Sequence, residues 1–400
     1  MTRKKWLRRQ AWWIAMLVTV CFGISPLAQT AANVSYYQTS WPGGPQRVTK
    51  PFPVIGTLGP HVDGNFLIAV PDGGIIVIRQ LPPQDGGTQV AWQIAADGTV
   101  VKRLDLPAEK AKILAVTATD TEVFLGTDHG LAKISGLAAE PSDMMFILPS
   151  FSVGADVFPA PSRLAASVAG IAGDRESDIW LSLKGSLWTG LFFATDPGEW
   201  VDRVRGEKLD KAYPRLRVWT SKRTVMAMTG DMSRAGLWAY CNPARGGPQI
   251  VYLAPADGLG GLDRLPSVVP REGEVPALER PLLVSDTAGC LWLAGNSPAG
   301  AKIYRFDGEK IADVSPSAEL LQNRSFTQLI VDTAGKLYAA TDGVGVLVCD
   351  GQEWSEHPIN KHLPTLENTE LKPVDCMVID KSGSLWVGSG ANLIRWRQGD

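Results

Sequence analysis

Asp286-Thr-Ala-Gly289-Cys-Leu-Trp292, Asp332-Thr-Ala-Gly335-Lys-Leu-Tyr338 and Asp380-Lys-Ser-Gly383-Ser-Leu-Trp386 are three copies of one phrase. The second and third copies begin 46 and 48 residues after their predecessors, a period that marks a repeat architecture. In each copy an apolar run ends in Asp, Gly follows three residues on, and a second apolar run opens with an aromatic. That order is a β-hairpin. Glycine supplies the positive φ a tight turn needs, and the Asp side chain can accept hydrogen bonds from its own turn.

Weaker copies fill the rest of the chain. Asp174-Arg-Glu-Ser-Asp-Ile-Trp180 keeps the Asp-to-aromatic spacing without the Gly, and Ala118 to Phe124 keeps only the aromatic. Around Met226 an apolar strand stands without the turn signature, and Asp63-Gly-Asn-Phe-Leu67 is a shortened form. With Leu67, Phe124, Trp180, Met226, Trp292, Tyr338 and Trp386 as anchors there are seven units, about 53 residues apart on average. That spacing suits four-stranded blades with variable loops, so the sequence predicts an all-β, seven-bladed β-propeller of antiparallel blades.

Met377-Val-Ile-Asp-Lys-Ser-Gly-Ser-Leu-Trp-Val-Gly-Ser-Gly390 resembles the two-component regulator propeller repeat, in which an inner strand, an Asp/Gly turn and a Leu-Trp-Val/Ile-Gly strand follow in order. Leu329 to Gly343 and Val284 to Gly295 resemble it almost as well, and Val123 to Gly130 keeps its second half. The resemblance implies the propeller fold and a sensory or recognition role, since such repeats occur in sensor ectodomains and in stand-alone proteins alike. No kinase or output segment follows Trp396 in this chain, so signalling is expected to use a separate partner.

Ring closure is legible at the two ends. The last unit supplies three strands, and Val34-Ser-Tyr-Tyr-Gln-Thr-Ser-Trp41 is rich in strand formers, so residues 34–41 are expected to pair as its missing outer strand. Before them, Arg3, Lys4, Lys5, Arg8 and Arg9 precede an apolar stretch from Ala11 to about Ala28, followed by small residues to Ala32. This order is an export signal over residues 1–32, with an uncleaved membrane anchor as the alternative. Residues 33–400 then form the propeller, placed in the periplasm or outside the cell. Losing residues 1–32 moves the formal charge from −2 to −7, which disfavours a nucleic-acid partner.

Cys241, Cys290, Cys349 and Cys376 remain after export, and an oxidising compartment permits disulfides. Cys241 is read as ending a third strand in unit four and Cys290 as beginning a second strand in unit five. Those positions share a rim of neighbouring blades and make the pair the disulfide candidate. Neither the cysteines nor the four histidines, His61, His129, His357 and His362, have metal-ligand spacing, so no metal or cofactor is expected. Trp292, Tyr338 and Trp386 are expected to pack between blades.

In a propeller the loops joining second to third strands, and one blade to the next, share one face. Long segments fall there at Phe193 to Arg215, Pro255 to Pro281, Asp313 to Phe326 and Ser355 to Val374. The ligand-face candidates are Asp128, His129, Asp263, Arg264, Arg271, Glu272, Asn296, Asp342, His357, His362 and Ser389. The leading reading is a non-catalytic module recognising a protein, peptide or glycan. The alternative is an enzyme resembling streptogramin lyases, a likeness that implies His129 with Asp128 or Glu272 as acid/base pair.

Overall fold

The computed structural model describes residues 223–253 apart from 244, residues 275–397 apart from 352, and, between 33 and 194 and at 267–269, the strands with some adjoining turns; all structural statements concern these residues. Residues 1–32 lie outside them.

Seven sheets stand in a ring. Blade one spans Phe66–Leu104, blade two Ile113–Ile147, blade three Ser167–Ala194, blade four Arg223–Val269, blade five Glu279–Asp313, blade six Phe326–Glu356 and blade seven Cys376–Arg397. Within each, strands are antiparallel and neighbours in sequence are neighbours in the sheet. The first strand of every blade lies against the first strands of both adjoining blades, blade seven against blade one included, so these strands form the inner wall. Blade three is described through three strands, and a separate hairpin, Phe151–Val153 with Asp156–Phe158, falls between blades two and three along the chain.

The ring closes as the sequence predicts, with one addition. Asn33–Ser40 pairs antiparallel with Asn392–Arg397, from Asn33 opposite Arg397 to Gln38 opposite Asn392. Gly44–Val48 then folds back on it as a fifth strand, which the sequence reading did not anticipate. Tyr37 seals this seam: its ring lies 5.8 Å from that of Trp386, and its hydroxyl donates to the Gly98 carbonyl of blade one at 2.9 Å.

The core sits between blades. Trp386, Tyr37 and Cys376 share a buried cluster with Leu67, Ile75, Val77 and Ile94 across the closing seam, and Trp292 packs with Leu329, Leu337 and Leu347 of blade six. Each aromatic is held by the turn that precedes it. Asp380 Oδ1 accepts from the Ser382 and Ser384 amides while Oδ2 accepts from Trp386 Nε1 at 2.7 Å. Asp286 repeats this with the Ala288 and Cys290 amides and Trp292 Nε1 at 3.1 Å, and Asp332 with the Ala334 and Lys336 amides and the Tyr338 hydroxyl at 3.2 Å. A cross-strand arginine covers two of the rings, Arg395 at 4.9 Å from Trp386 and Arg305 at 5.5 Å from Trp292.

Blade four shows why its copy was hard to read. Its first turn runs from Asp231 to Gly236, with the Asp231 amide donating to the Gly236 carbonyl, whereas the Asp286 amide donates to Cys290. The turn is one residue longer, and the Asp231 carboxylate binds Ser233 and Arg234 instead of Trp238. Trp238, not Met226, is therefore the aromatic that opens the second strand of this blade. Met226 bulges from the inner strand between Val225 and Ala227.

The cysteine pairing is corrected. Cys241 lies in the second strand of blade four, Leu237–Pro243, opposite Val225 and Gln249, at the end away from the first turn. Cys290 sits at the first turn of blade five, where its Sγ accepts from Arg305 at 2.8 Å. The two thiols are buried at opposite ends of their blades and form no disulfide.

Two outcomes follow. Asp380→Ala should cost about 3–5 kcal/mol, because it strips a buried carboxylate from two amides, an indole and Arg395, whereas Asp332→Ala, at a half-buried site without an arginine, should cost about 1–3 kcal/mol. Urea unfolding of the two variants reads the order directly. Deleting residues 33–48 should expose Asn392–Arg397 as an edge strand and give concentration-dependent association by light scattering.

Candidate functional site

Strand direction divides the ring into two faces. The Asp/Gly first turns and the third-to-fourth-strand turns occupy one; the second-to-third-strand loops and the blade-joining segments occupy the other. Backbone conformation distinguishes them sharply. On the Asp/Gly face every described residue with positive φ is a glycine, among them Gly289, Gly335 and Gly383 at φ 87°, 83° and 75°. The four non-glycine residues with positive φ all lie on the opposite face: Arg280 at 50°, Gln322 at 51°, Asn323 at 57° and Asn368 at 60°. Such conformations cost energy in most L-residues; Gln322 caps the helix Ala318–Leu321 through its amide to Ala318, and Asn323 and Asn368 occupy turns where asparagine is the best tolerated non-glycine residue.

Blade six supplies the best-ordered part of that face. The loop after its second strand, 341–345, is held internally by the Thr341 hydroxyl, which donates to the Gly345 carbonyl at 2.7 Å and accepts from the Val344 amide. Asn360, from the 3-10 turn Pro358–Lys361, braces it from behind: its side-chain oxygen accepts from the Val346 amide and its nitrogen donates to the Val344 and Val346 carbonyls. On the other side the incoming strand of blade seven docks, with the Lys372 amide donating to Gly343 at 2.6 Å and the Val374 amide to Thr341 at 2.9 Å. Asp342 exchanges two bonds with Ser325, its amide donating to the Ser325 carbonyl at 3.1 Å and its carboxylate accepting from the Ser325 amide at 3.0 Å. Burial pushes the Asp342 carboxyl above the usual carboxylate range, although Arg324 and the Ser325 amide pull the other way.

Arg324 follows the two left-handed residues and lies across Gly343, where an added Cβ would fall 2.7 Å from its Cδ. Its Nε is buried without a hydrogen-bond partner. At the neighbouring rim, Arg280 is exposed at a bulge between Glu279 and Leu282, beside Asn296. At the closing seam Arg79 is buried, its Nη2 donating to the Asn392 carbonyl at 3.1 Å and its Nη1 3.6 Å from Asp375. Asp375 in turn accepts from the Gly390 amide at 2.8 Å.

The candidates from sequence separate into three groups. Asn296 and Asp342 are half-buried on this face as expected. His357 and Ser389 belong to its loops, but their side chains are buried. Ser389 donates to the Pro373 carbonyl; His357 accepts from the Ile359 amide through Nδ1 and lies against the rings of Tyr338 and Trp396. His362 is half-buried, and burial lowers its pKa. Asp128, His129, Asp263, Arg264, Arg271 and Glu272 lie outside the described residues. Arg280, Arg324 and Lys372 were missed; the one local signal was Gly343 directly after Asp342. Among the described residues no group of three His, Cys, Asp or Glu is placed to hold a metal.

Comparison with solved structures places the chain among β-propellers. Streptogramin B lyase superposes with a TM-score of 0.50 at 13% identity, covering 85% of this chain and 94% of that one. YCF48 bound to D1 peptide gives 0.50 at 13%, covering 85% and 93%. The extracellular domain of the putative one-component system BT4673 from B. thetaiotaomicron gives 0.46 at 14%, covering 84% of this chain; the match spans 38% of the other. No family model and no curated protein matches the sequence.

His357 makes stability pH-dependent. Burial, and secondarily Lys336, lower its pKa from 6.5 to about 4. The unfolded chain therefore binds the proton first: the contribution is complete above about pH 6.5, and is lost as pH falls towards 4, by about 3 kcal/mol in all. His357→Asn, which preserves a capping oxygen for Ile359, should flatten that slope by up to one proton in urea unfolding measured between pH 7 and pH 4.5.

Proposed function

We propose that this chain is a non-catalytic binding module acting outside the cytoplasm, and that it recognises a protein, peptide or glycan through the face carrying the blade-joining segments. The observation that carries this reading is the confinement of non-glycine positive φ to that face, at Arg280, Gln322, Asn323 and Asn368. Gln322 and Asn323 end the helix Ala318–Leu321 and lead into Arg324 and Ser325, and the facing loop is braced by Asn360 and the Asp342–Ser325 exchange. A binding surface gains affinity from such preorganisation, because little is left to order when the ligand arrives. The arrangement of basic, apolar and small residues in 1–32 supports an extracytoplasmic location. A peptide ligand is compatible with the fold, since YCF48 is a propeller that holds one. Mild acidity after loss of that segment still argues against nucleic acid.

Selection from a displayed random-peptide library against the immobilised chain tests this reading. Enriched peptides should lose about tenfold or more in affinity to Arg280→Glu or Asn296→Lys, and nothing to Lys310→Glu on the Asp/Gly face. Loss with the Lys310 variant alone would overturn it. In parallel, streptogramin B incubated with the chain should be recovered intact by mass spectrometry. Cleavage abolished by His129→Ala would transfer the assignment to the lyase reading, with Asp128 or Glu272 as the partner of His129.

A further inference from the structure

We propose that Arg324 is the anchor for a carboxylate group of the ligand. This rests on the reading of the surrounding face as the binding surface and names the chemistry of its centre. Arg324 enters from two successive left-handed residues, Gln322 and Asn323, and its aliphatic stem crosses Gly343 at a distance no β-carbon would permit. The left-handed pair ends the helix Ala318–Leu321 and turns the chain into Arg324, and the bare glycine at 343 leaves room for its stem.

The guanidinium is then left without a partner. Among the described residues it makes no hydrogen bond and no ion pair, and Nε is buried. Nε is enclosed against Gly343, as the Nε atoms of Arg79 and Arg395 are enclosed elsewhere, so the open end of the group, its two terminal nitrogens, is what an incoming acceptor meets. The neighbouring Asp342 carboxylate does not fill the role: it is turned to the Ser325 amide and is not within ion-pair distance of Arg324. Lys372, whose amide is bonded to the same Gly343, adds a second cation whose ammonium has no ion pair among the described residues.

The charge environment selects the type of anion. Asp342 flanks Arg324, Asp375 lies three residues beyond Lys372, and Glu367 and Glu370 stand exposed on the hairpin closed by the Leu366–Leu371 bond. A dianion such as phosphate would meet that repulsion twice over. A carboxylate carries one charge and presents two coplanar oxygens, to which the two terminal nitrogens of the guanidinium donate as a pair, Nε being enclosed. An acidic side chain or a free C-terminus of a peptide, or the carboxylate of an acidic sugar, provides that group.

The Nε–H resonance of Arg324 in the isotope-labelled full chain reports binding at the adjoining terminal nitrogens. Titration with sodium acetate should shift it saturably, sodium chloride at equal ionic strength should not, and sodium phosphate should act at least several-fold more weakly. Gly343→Ala should weaken the acetate response by about tenfold by displacing the stem. Because that variant also crowds the loop, Arg324→Lys provides the second measurement: it keeps the charge, and should abolish the acetate-dependent rise in Tm expected of the wild-type chain. No saturable shift, an equal response to chloride, or tighter binding of phosphate would each overturn the assignment. Peptide selection that succeeds on this face while acetate leaves Arg324 unmoved would retain the binding module and remove the carboxylate anchor.

Discussion

A carboxylate buried at the first turn of a blade is the constraint on which the rest of this structure depends. An ionised Asp without water must find a full set of donors, or its desolvation would unfold the turn. Asp380 and Asp286 find theirs in two amides of their own turn and the indole nitrogen six residues on. Satisfying one charge therefore fixes the turn, sets the register of the first two strands, and aims a large aromatic into the gap between blades. The gap is where the core is, so turn chemistry and core packing are one event rather than two.

The two faces of the ring are built on different principles. On the Asp/Gly face, positive φ is assigned to glycine wherever it occurs, and the local sequence agrees with the local geometry. On the other face Arg, Gln and Asn adopt positive φ as well: Gln322 and Asn323 where the helix Ala318–Leu321 ends, Asn368 in the turn between Leu366 and Leu371, and Arg280 at a bulge. Among the described residues, non-glycine positive φ thus falls on one side of the ring.

The fold was legible because its information is local. Seven residues contain the carboxylate, the turn and the aromatic, and three near-identical copies expose the period. Blade four was misread because one added residue in Asp231–Gly236 redirects the carboxylate to Ser233 and Arg234 and removes the spacing that marks the other turns. The same error in strand boundaries put Cys241 at the wrong end of its blade. The candidate site was less legible for a physical reason: Arg324 and Lys372 are 48 residues apart and meet at Gly343 only through tertiary docking. His357 and Ser389 were placed on the correct loops, but alternation along the sequence does not say that a 3-10 turn or a buried carbonyl will draw a side chain inward.

The closing strand also gives the molecule an orientation. Asn33 pairs with Arg397, and Asn392 of the same partner strand lies beside the loop carrying Ser389 and Gly390, so the chain enters the ring from the Asp/Gly face and runs towards the other. Any segment still joined ahead of Asn33 leaves from the face opposite Arg324. Were the propeller moored through the residues ahead of Asn33, its glycine-turned side would face the mooring and the side carrying Arg324 would face outward, like a dish on a mast.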